Sequence, residues 1–385
     1  MQTNCLPLPE MFLQKLSLVN FKNFEEAELA FSDKVNCFAG PNGSGKTNLL
    51  DALHYLGLCK SYFNPLDSQN IRHDEGFFVI QGTFIADDGA EEQVYCGMKR
   101  NQKKVFKRNQ KEYERLADHI GLFPLVMVSP ADGVLISGGS EERRRFMDSV
   151  IAQYDKNYLD SLIAYNRVLS QRNALLKQFG ENRNFDAAVL EVFDAQLAGK
   201  GKPVYEARKA FIAAFTPIFA DYYRHLSGAA EEVAITYQSK LHETSFEDLL
   251  IRSLPKDRIM QHCTAGVHKD DLEFGIGGYA MKKAGSQGQQ KTFLIALRLA
   301  QFCFIRDTGK RMPVLLLDDI YDKLDENRVK KLMDAVCGKG FGQIFITDTG
   351  VGRIQELFEN RGIPFRLFEI RSGKVNNQLK ELPSE

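Results

Sequence analysis

Gly40-Pro41-Asn42-Gly43-Ser44-Gly45-Lys46-Thr47 decides how the rest of the chain is read, because it fits G-x-x-x-x-G-K-[ST]. Before it, Lys34–Ala39 predicts a short apolar strand; after it, Thr47 to Gly57 predicts an amphipathic helix. Strand, loop and helix in that order are the context a phosphate-binding loop requires. Glycines let such a loop curl until backbone N–H groups point at a phosphate. Lys46 would then reach the β/γ-phosphates of ATP, and the Thr47 hydroxyl would ligate Mg²⁺. Gly40, Pro41, Asn42, Gly43, Ser44, Gly45, Lys46 and Thr47 are thus candidate ATP-binding residues, with Lys46 also a candidate catalytic residue.

The partner of this loop is Val314-Leu315-Leu316-Leu317-Asp318-Asp319, an apolar strand ending in two carboxylates. Asp318 suits the Mg²⁺ beside Thr47, and Asp319 is placed to orient or activate the attacking water. A second pair, Asp270-Asp271, reads as a solvated acidic turn. Between loop and double-Asp strand lies Ser286-Gln287-Gly288-Gln289-Gln290, opening a helix that runs to Ile305. Small and polar residues at a helix start expose N–H donors, and the dipole favours an anion there. Ser286, Gly288 and Gln289 are therefore candidate nucleotide contacts, and Ser286, with Asp318 and Asp319, a candidate catalytic residue, although capping alone would also account for Ser286.

Secondary-structure signals arrange these motifs. The first third is strand-rich: a strand with Leu16, Leu18 and Phe21, then Phe77–Ala86 and Gln93–Met98 around Asp87-Asp88-Gly89, then Leu125–Val128. From Ser140, a candidate N-cap, to His225 the pattern is helical. Phe211, Phe215, Ile218, Phe219 and Tyr222 repeat there at helical spacing with one interruption at Pro217. The last third alternates strand and helix, and its strands are apolar on both faces, as in a covered α/β sheet. The expected fold class is α/β: a P-loop NTPase head built from both ends of the chain (1–125 and 263–385), with a mostly helical inserted lobe over 126–262.

Composition bounds the rest. At 385 residues the chain holds two or three domains, and 44% hydrophobic against 26% charged residues is ordinary for a globular protein. Lys+Arg and Asp+Glu are both 50, which excludes a uniformly basic nucleic-acid coat protein. Met1–Glu10 hold no Lys, Arg or apolar run, so no secretory signal is expected, and no stretch approaches a membrane span. The seven cysteines are scattered without Cys-x-x-Cys, which predicts reduced thiols and a cytoplasmic address.

The order P-loop, long insert, Ser-Gln-Gly-Gln-Gln, double-Asp strand is the layout of ABC-type ATPase heads. Phe21-Lys22-Asn23-Phe24, Gly40–Thr47, Arg144-Arg145-Phe146-Met147-Asp148, Gln171-Arg172-Asn173-Ala174-Leu175-Leu176, His268-Lys269-Asp270-Asp271, Ser286–Gln290 and Leu317–Asp325 together resemble the RecF family of SMC-like ABC-type ATPases. The resemblance runs over nearly the whole chain, and the Gln-Arg-Asn-Ala-Leu-Leu and Ser-Gln-Gly-Gln-Gln runs are its most discriminating parts. It implies an ATP-dependent homodimer in which each P-loop faces the Ser286–Gln290 run of the other protomer, with Asp325 in a loop crossing that interface. It also implies weak ATP hydrolysis coupled to DNA binding at single-stranded gaps or on duplex, and support of RecA loading with the RecR and RecO proteins. The chain departs from the pattern at Val267, where Pro is usual, at Phe63, where Arg is expected, and at Thr347-Asp348, where no switch histidine stands. No Q-loop glutamine can be placed; Ser129–Asp132 occupies that region.

Neutral overall charge hides segregation. Asp74–Glu92 carries six acids and no base, whereas Lys99, Arg100, Lys103, Lys104, Lys107, Arg108 and Lys111 put seven cations into thirteen residues without an acid. That tract is either a DNA contact or a solvated basic hairpin. Arg143-Arg144-Arg145 is a second candidate, with pairing to Glu141, Glu142 and Asp148 as its structural reading. The helical insert has 13 Lys/Arg against 11 Asp/Glu, so it reads as a scaffold or dimer arm. Two other functions stay in view: an ABC transporter ATPase subunit, disfavoured by Gln287 and by the length of the insert, and an ATP-gated DNA clamp with negligible hydrolysis, which Asp319 in place of the common Glu keeps open.

Overall fold

The computed structural model describes residues 11–228, 231–320, 326–338 and 340–379. Along the chain, β1 (Phe12–Phe21), β2 (Phe24–Ala30) and β3 (Val35–Ala39) lead to α1 (Lys46–Leu58). Then come β4 (Phe77–Ile85), β5 (Glu91–Lys99), β6 (Val105–Arg108), β7 (Lys111–Glu112) and β8 (Leu125–Val128). The middle holds α2 (Val134–Ser137), α3 (Ser140–Ile151), α4 (Lys156–Asn182), α5 (Ala187–Ser227), β9 (Val233–Gln238) and α6 (Phe246–Met260). The remainder is β10 (Asp271–Ile276), β11 (Tyr279–Ala280), α7 (Met281–Ala284), α8 (Gln287–Gly309), β12 (Val314–Leu317), α9 (Glu326–Val336), β13 (Ile344–Asp348), α10 (Val351–Glu359), β14 (Phe365–Arg371) and β15 (Lys374–Leu379).

These elements form two compact units. One takes in the chain to Asp132, His225–Gly228 and the chain from Lys291; the other takes in Gly133–Arg224 and the chain from Glu231 to Gln290. A boundary drawn at 263 on sequence therefore differs from the observed division, because β10 pairs with β9 throughout its length and holds 271–276 in the second unit.

The first unit contains two sheets. One is antiparallel in the order β2-β1-β4-β5-β6-β7; the other runs β15-β14-β3-β13-β12-β8 and is parallel apart from β15. Burial follows this difference. β3, β8 and β13 are buried at every residue, as strands covered on both faces must be, whereas β2 and β4 alternate. Phe31, Phe38, Phe345 and Phe368 fill the core with edge and stacked ring contacts. Buried Gln343 ties the two sheets, donating to the Leu13 and Ser32 carbonyls and accepting from the Leu13 N–H.

The second unit is helical around the small sheet β11-β10-β9. α5 continues through both Pro203 and Pro217, so Pro217 is no interruption; its missing N–H removes one intrahelical bond, and the flanking Phe211, Phe215, Phe219 and Tyr223 anchor the helix in the core. Tyr223, not Tyr222, takes the core position at the four-residue spacing. Ser140 is not an N-cap either: Gly139 is, and Ser140 is the first helical residue.

Two buried arginines organise this unit. Arg172 of α4 donates to Asp194 on α5 (2.5 Å) and Asp257 on α6 (2.7 Å), and the next residue, Asn173, accepts the Cys263 N–H. The Gln-Arg-Asn run is thus a three-helix joint. Arg208 contacts Asp148, Asp270 and the Val267 carbonyl. Asp270 is 3% exposed and also accepts from Tyr237, while Asp271 takes a two-pronged contact from Arg143 (2.7 and 2.9 Å). The pair is therefore no solvated acidic turn: folding brings arginines to it from α3 and α5.

Candidate phosphate-binding and metal site

The strand–loop–helix context places Gly40–Thr47 between β3 and α1. Two glycines are needed for packing as well as curvature. A Cβ at Gly40 would stand 2.1 Å from the Ile370 carbonyl oxygen, and one at Gly45, at φ 118°, would stand 2.6 Å from Asn23 Nδ2. Asn23 holds the far side of the loop: it donates to the Ser44 carbonyl and accepts from Asn48 of α1. That explains the Phe-Lys-Asn-Phe run, whose turn residue Lys22 is left-handed at φ 53° and pairs with buried Asp51 at 2.5 Å.

Pro41, Asn42 and Gly43 are exposed at the loop tip, whereas Ser44, Gly45 and Lys46 are buried. The Lys46 ammonium donates to the carbonyls of Gly40 (2.7 Å) and Pro41 (3.1 Å), so it lies along the loop rim. Among the described residues, buried Ser44 Oγ has no hydrogen-bond partner. The first-turn N–H groups of α1 have no intrahelical acceptor, as at any helix start. The loop therefore presents donors and a cation together, which is the chemistry a phosphate requires.

Thr47 and Asp318 are brought together as read from sequence. Asp318 Oδ1 accepts from Thr47 Oγ1 (2.9 Å) and from Thr347 Oγ1 (3.0 Å), and Oδ2 accepts from Ser129 Oγ (3.4 Å). Register produces this cluster: Leu317 pairs with Val128 on one side and Ile346 on the other, so the next residue of each, Asp318, Ser129 and Thr347, converge. Asp318 is 4% exposed, and among the described residues its partners are hydroxyls, with no cation. Burial pushes its carboxyl above the usual range, against the pull of the Thr47 and Thr347 hydrogen bonds. A buried carboxylate held by hydroxyls beside a candidate phosphate loop fits a hard divalent cation. Asp319 adopts a left-handed backbone at φ 45°, is half-buried, and donates its N–H to Thr347 Oγ1.

Ser286, Gly288 and Gln289 lie in the second unit, at the start of α8. Ser286 Oγ accepts the Gln289 N–H (3.2 Å) while Gln289 Oε1 accepts the Ser286 N–H (2.7 Å), a reciprocal capping box. Asp322, Lys323, Leu324 and Asp325 lie outside the described residues. Thr347 and Ser129 were legible only as neighbours of motifs, and Arg298, which reaches Asp132 below Ser129, was missed. Its signal was there: an arginine inside the apolar stretch Phe293–Ile305 of a helix.

The basic tract divides. Lys104 is half-buried and bonded to Asp67, the Cys59 carbonyl and Tyr55, and Arg108 is paired with Glu92, so those two cations hold the β region together. Lys99, Lys103 and Lys111 are exposed. Arg143 and Arg144 are likewise structural, bound to Asp271 and the Asp270 carbonyl; Arg145 pairs with Glu141 and Glu142 at the surface. Among the described residues no helix is long and apolar enough to cross a membrane.

Comparisons with known proteins agree with this fold. Residues 12–364 match the family described as RecF/RecN/SMC N terminal domain. The solved Smc head domain of Pyrococcus furiosus, 17% identical, aligns over 96% of both chains with a TM-score of 0.56, a likeness of fold alone. The fold is an ATPase head of the SMC-like ABC type. A DNA replication and repair protein RecF of Bacteroides fragilis is 52% identical over 366 residues, spanning 95% of this chain and 98% of its own. The solved structure of the recombination mediator protein RecF with ATP, from the RecFOR pathway, covers 97% of this chain and 99% of its own with a TM-score of 0.88 and 29% identity. The chain belongs to the RecF family of DNA replication and repair proteins.

Proposed function

We propose that this chain is a weak, DNA-coupled ATPase of RecF type, acting in the cytoplasm on gapped, single-stranded or duplex DNA. The observation that carries the reading is the hydroxyl-ringed, buried Asp318 joined to Thr47 of the P-loop. Bound ATP would supply the phosphoryl group, with Mg²⁺ neutralising its charge. Loop N–H groups and Lys46 would bind and orient the phosphates; Thr47 and Asp318 would hold the metal. Asp319 would orient the attacking water, its backbone fixed through Thr347. Family membership supports the remainder: a dimer closed by ATP between one P-loop and the Ser286–Gln289 run of the partner, release after hydrolysis, and support of RecA loading with RecR and RecO. In such a dimer the Ser286 hydroxyl would exchange its capping partner for a phosphate oxygen. The helical second unit would serve as the dimer and DNA arm, and Lys99, Lys103 and Lys111 as phosphate contacts.

One experiment tests the core of this reading. Size-exclusion with light scattering, alongside an ATPase assay with and without gapped DNA, should show an ATP-dependent dimer that Asp319→Asn traps and Lys46→Ala loses. A monomer in Asp319→Asn with ATP bound would remove the sandwich. Dimerisation without measurable turnover would favour the clamp that hydrolyses negligibly, a reading that rests on the short reach of Asp319.

A further inference from the structure

Arg298 is a cation in the most buried part of α8, where every residue from Thr292 to Ile305 is buried. Its guanidinium donates to Asp132 Oδ1 (2.5 Å), Tyr62 Oη (2.9 Å) and Gln301 Oε1 (2.7 Å). Tyr62 also donates to Asp132 Oδ1. The other carboxylate oxygen, Oδ2, accepts the Ser129 N–H at 3.0 Å. Ser129 is the residue after β8, and its hydroxyl reaches Asp318 Oδ2, the oxygen that Thr47 and Thr347 leave to it.

A buried ion pair is weak evidence for stability, since desolvation offsets much of its attraction and an apolar side chain would fill the space as well. What an apolar residue could not do is fix the backbone of Ser129. The Ser129 hydrogen bond is the longest of the three on Asp318, at 3.4 Å, so it is the one most sensitive to a small displacement of the backbone. We infer that Arg298 and Asp132 are positioning residues for the Asp318 site: they clamp Ser129 so that its hydroxyl sets the plane of the carboxylate facing Thr47. The inference rests on the reading of Asp318 as a metal-holding carboxylate. Partners of this kind behind a metal ligand are worth about 10–100-fold in metal affinity.

The test uses the intact chain, a non-hydrolysable ATP analogue, and Mn²⁺ titration followed by electron paramagnetic resonance. Ser129→Ala and Arg298→Met should each weaken Mn²⁺ binding about tenfold, while binding of the analogue in EDTA changes less than about twofold. Ser129→Thr, which keeps the hydroxyl, should restore the affinity. The double variant should be no worse than either single one, since both act through one hydrogen bond. Unchanged Mn²⁺ affinity with the analogue still bound would overturn the inference alone, as would additive effects or an equal loss of metal-free analogue binding in Arg298→Met. If Arg298→Met fails to fold, Asp132→Asn takes its place in the cycle. An unaltered chain that does not bind the analogue would overturn the nucleotide reading, and the inference with it.

Discussion

Asp318 in the first unit and Asp257 in the second are both buried carboxylates, yet their surroundings are opposite. Asp257 is met by the fully buried guanidinium of Arg172, and also accepts from Thr264. Asp318 is met by three hydroxyls and, among the described residues, by no cation. A buried charge paired within the chain serves the fold; one solvated only by hydroxyls retains its demand for a positive partner. The difference separates a structural joint from a candidate binding site better than burial or motif does.

That comparison can be broken by mutation. Arg172→Met should destabilise the protein by about 3–5 kcal/mol, because it strands Asp257 without its counter-ion; urea unfolding measures it. Asp318→Asn without nucleotide should cost less than about 1 kcal/mol or stabilise, since the raised carboxyl shows that the fold resists its charge. A loss as large as that of Arg172→Met would make Asp318 another structural joint.

The same contrast runs through the lysines. Replacing Lys99, Lys103 and Lys111 together by Glu should weaken DNA binding about tenfold and flatten its salt slope, by about 0.9 for each phosphate no longer neutralised. Lys104→Met should lower the melting temperature instead, because its ammonium is engaged with Asp67 and the Cys59 carbonyl. If only Lys104→Met affects DNA, the exposed lysines are solvent-facing charges.

The last comparison concerns histidine, and here the two units are alike. Burial lowers His119 in the first unit and His268 in the second to about 4. Between about pH 6.5 and those values the unfolded chain binds protons that the folded chain does not, so stability falls as pH falls. His119→Gln and His268→Gln should each flatten the slope of stability against pH below 6.5, by at most about 1.4 kcal/mol per pH unit. An unchanged slope would show that neither histidine is held neutral.

The legible parts of the site were those where chemistry follows local spacing. Gly40–Thr47 needs its glycines close together in the chain, and Asp318 follows an unbroken apolar strand, so both could be read from the chain alone. Ser129 and Thr347 could not be assigned partners, because only the register of β8, β12 and β13 brings the ends of three parallel strands together. Asp270-Asp271 was misread for a related reason, and Arg143-Arg144 stayed open between a DNA contact and pairing: their partners come into reach only when β10 and α3 meet.

Sequence by itself thus determined the candidate phosphate loop, the α/β class, the apolar strands and the family resemblance, since these depend on residue type at short separation. Tertiary structure alone decided which charges are spent. It assigned Arg172, Arg208, Lys104 and Arg143 to the fold, left Lys99, Lys103 and Lys111 in solvent, and gave Asp318 a ring of hydroxyls. A charge's role depends on its partner across space, and no local pattern encodes that partner.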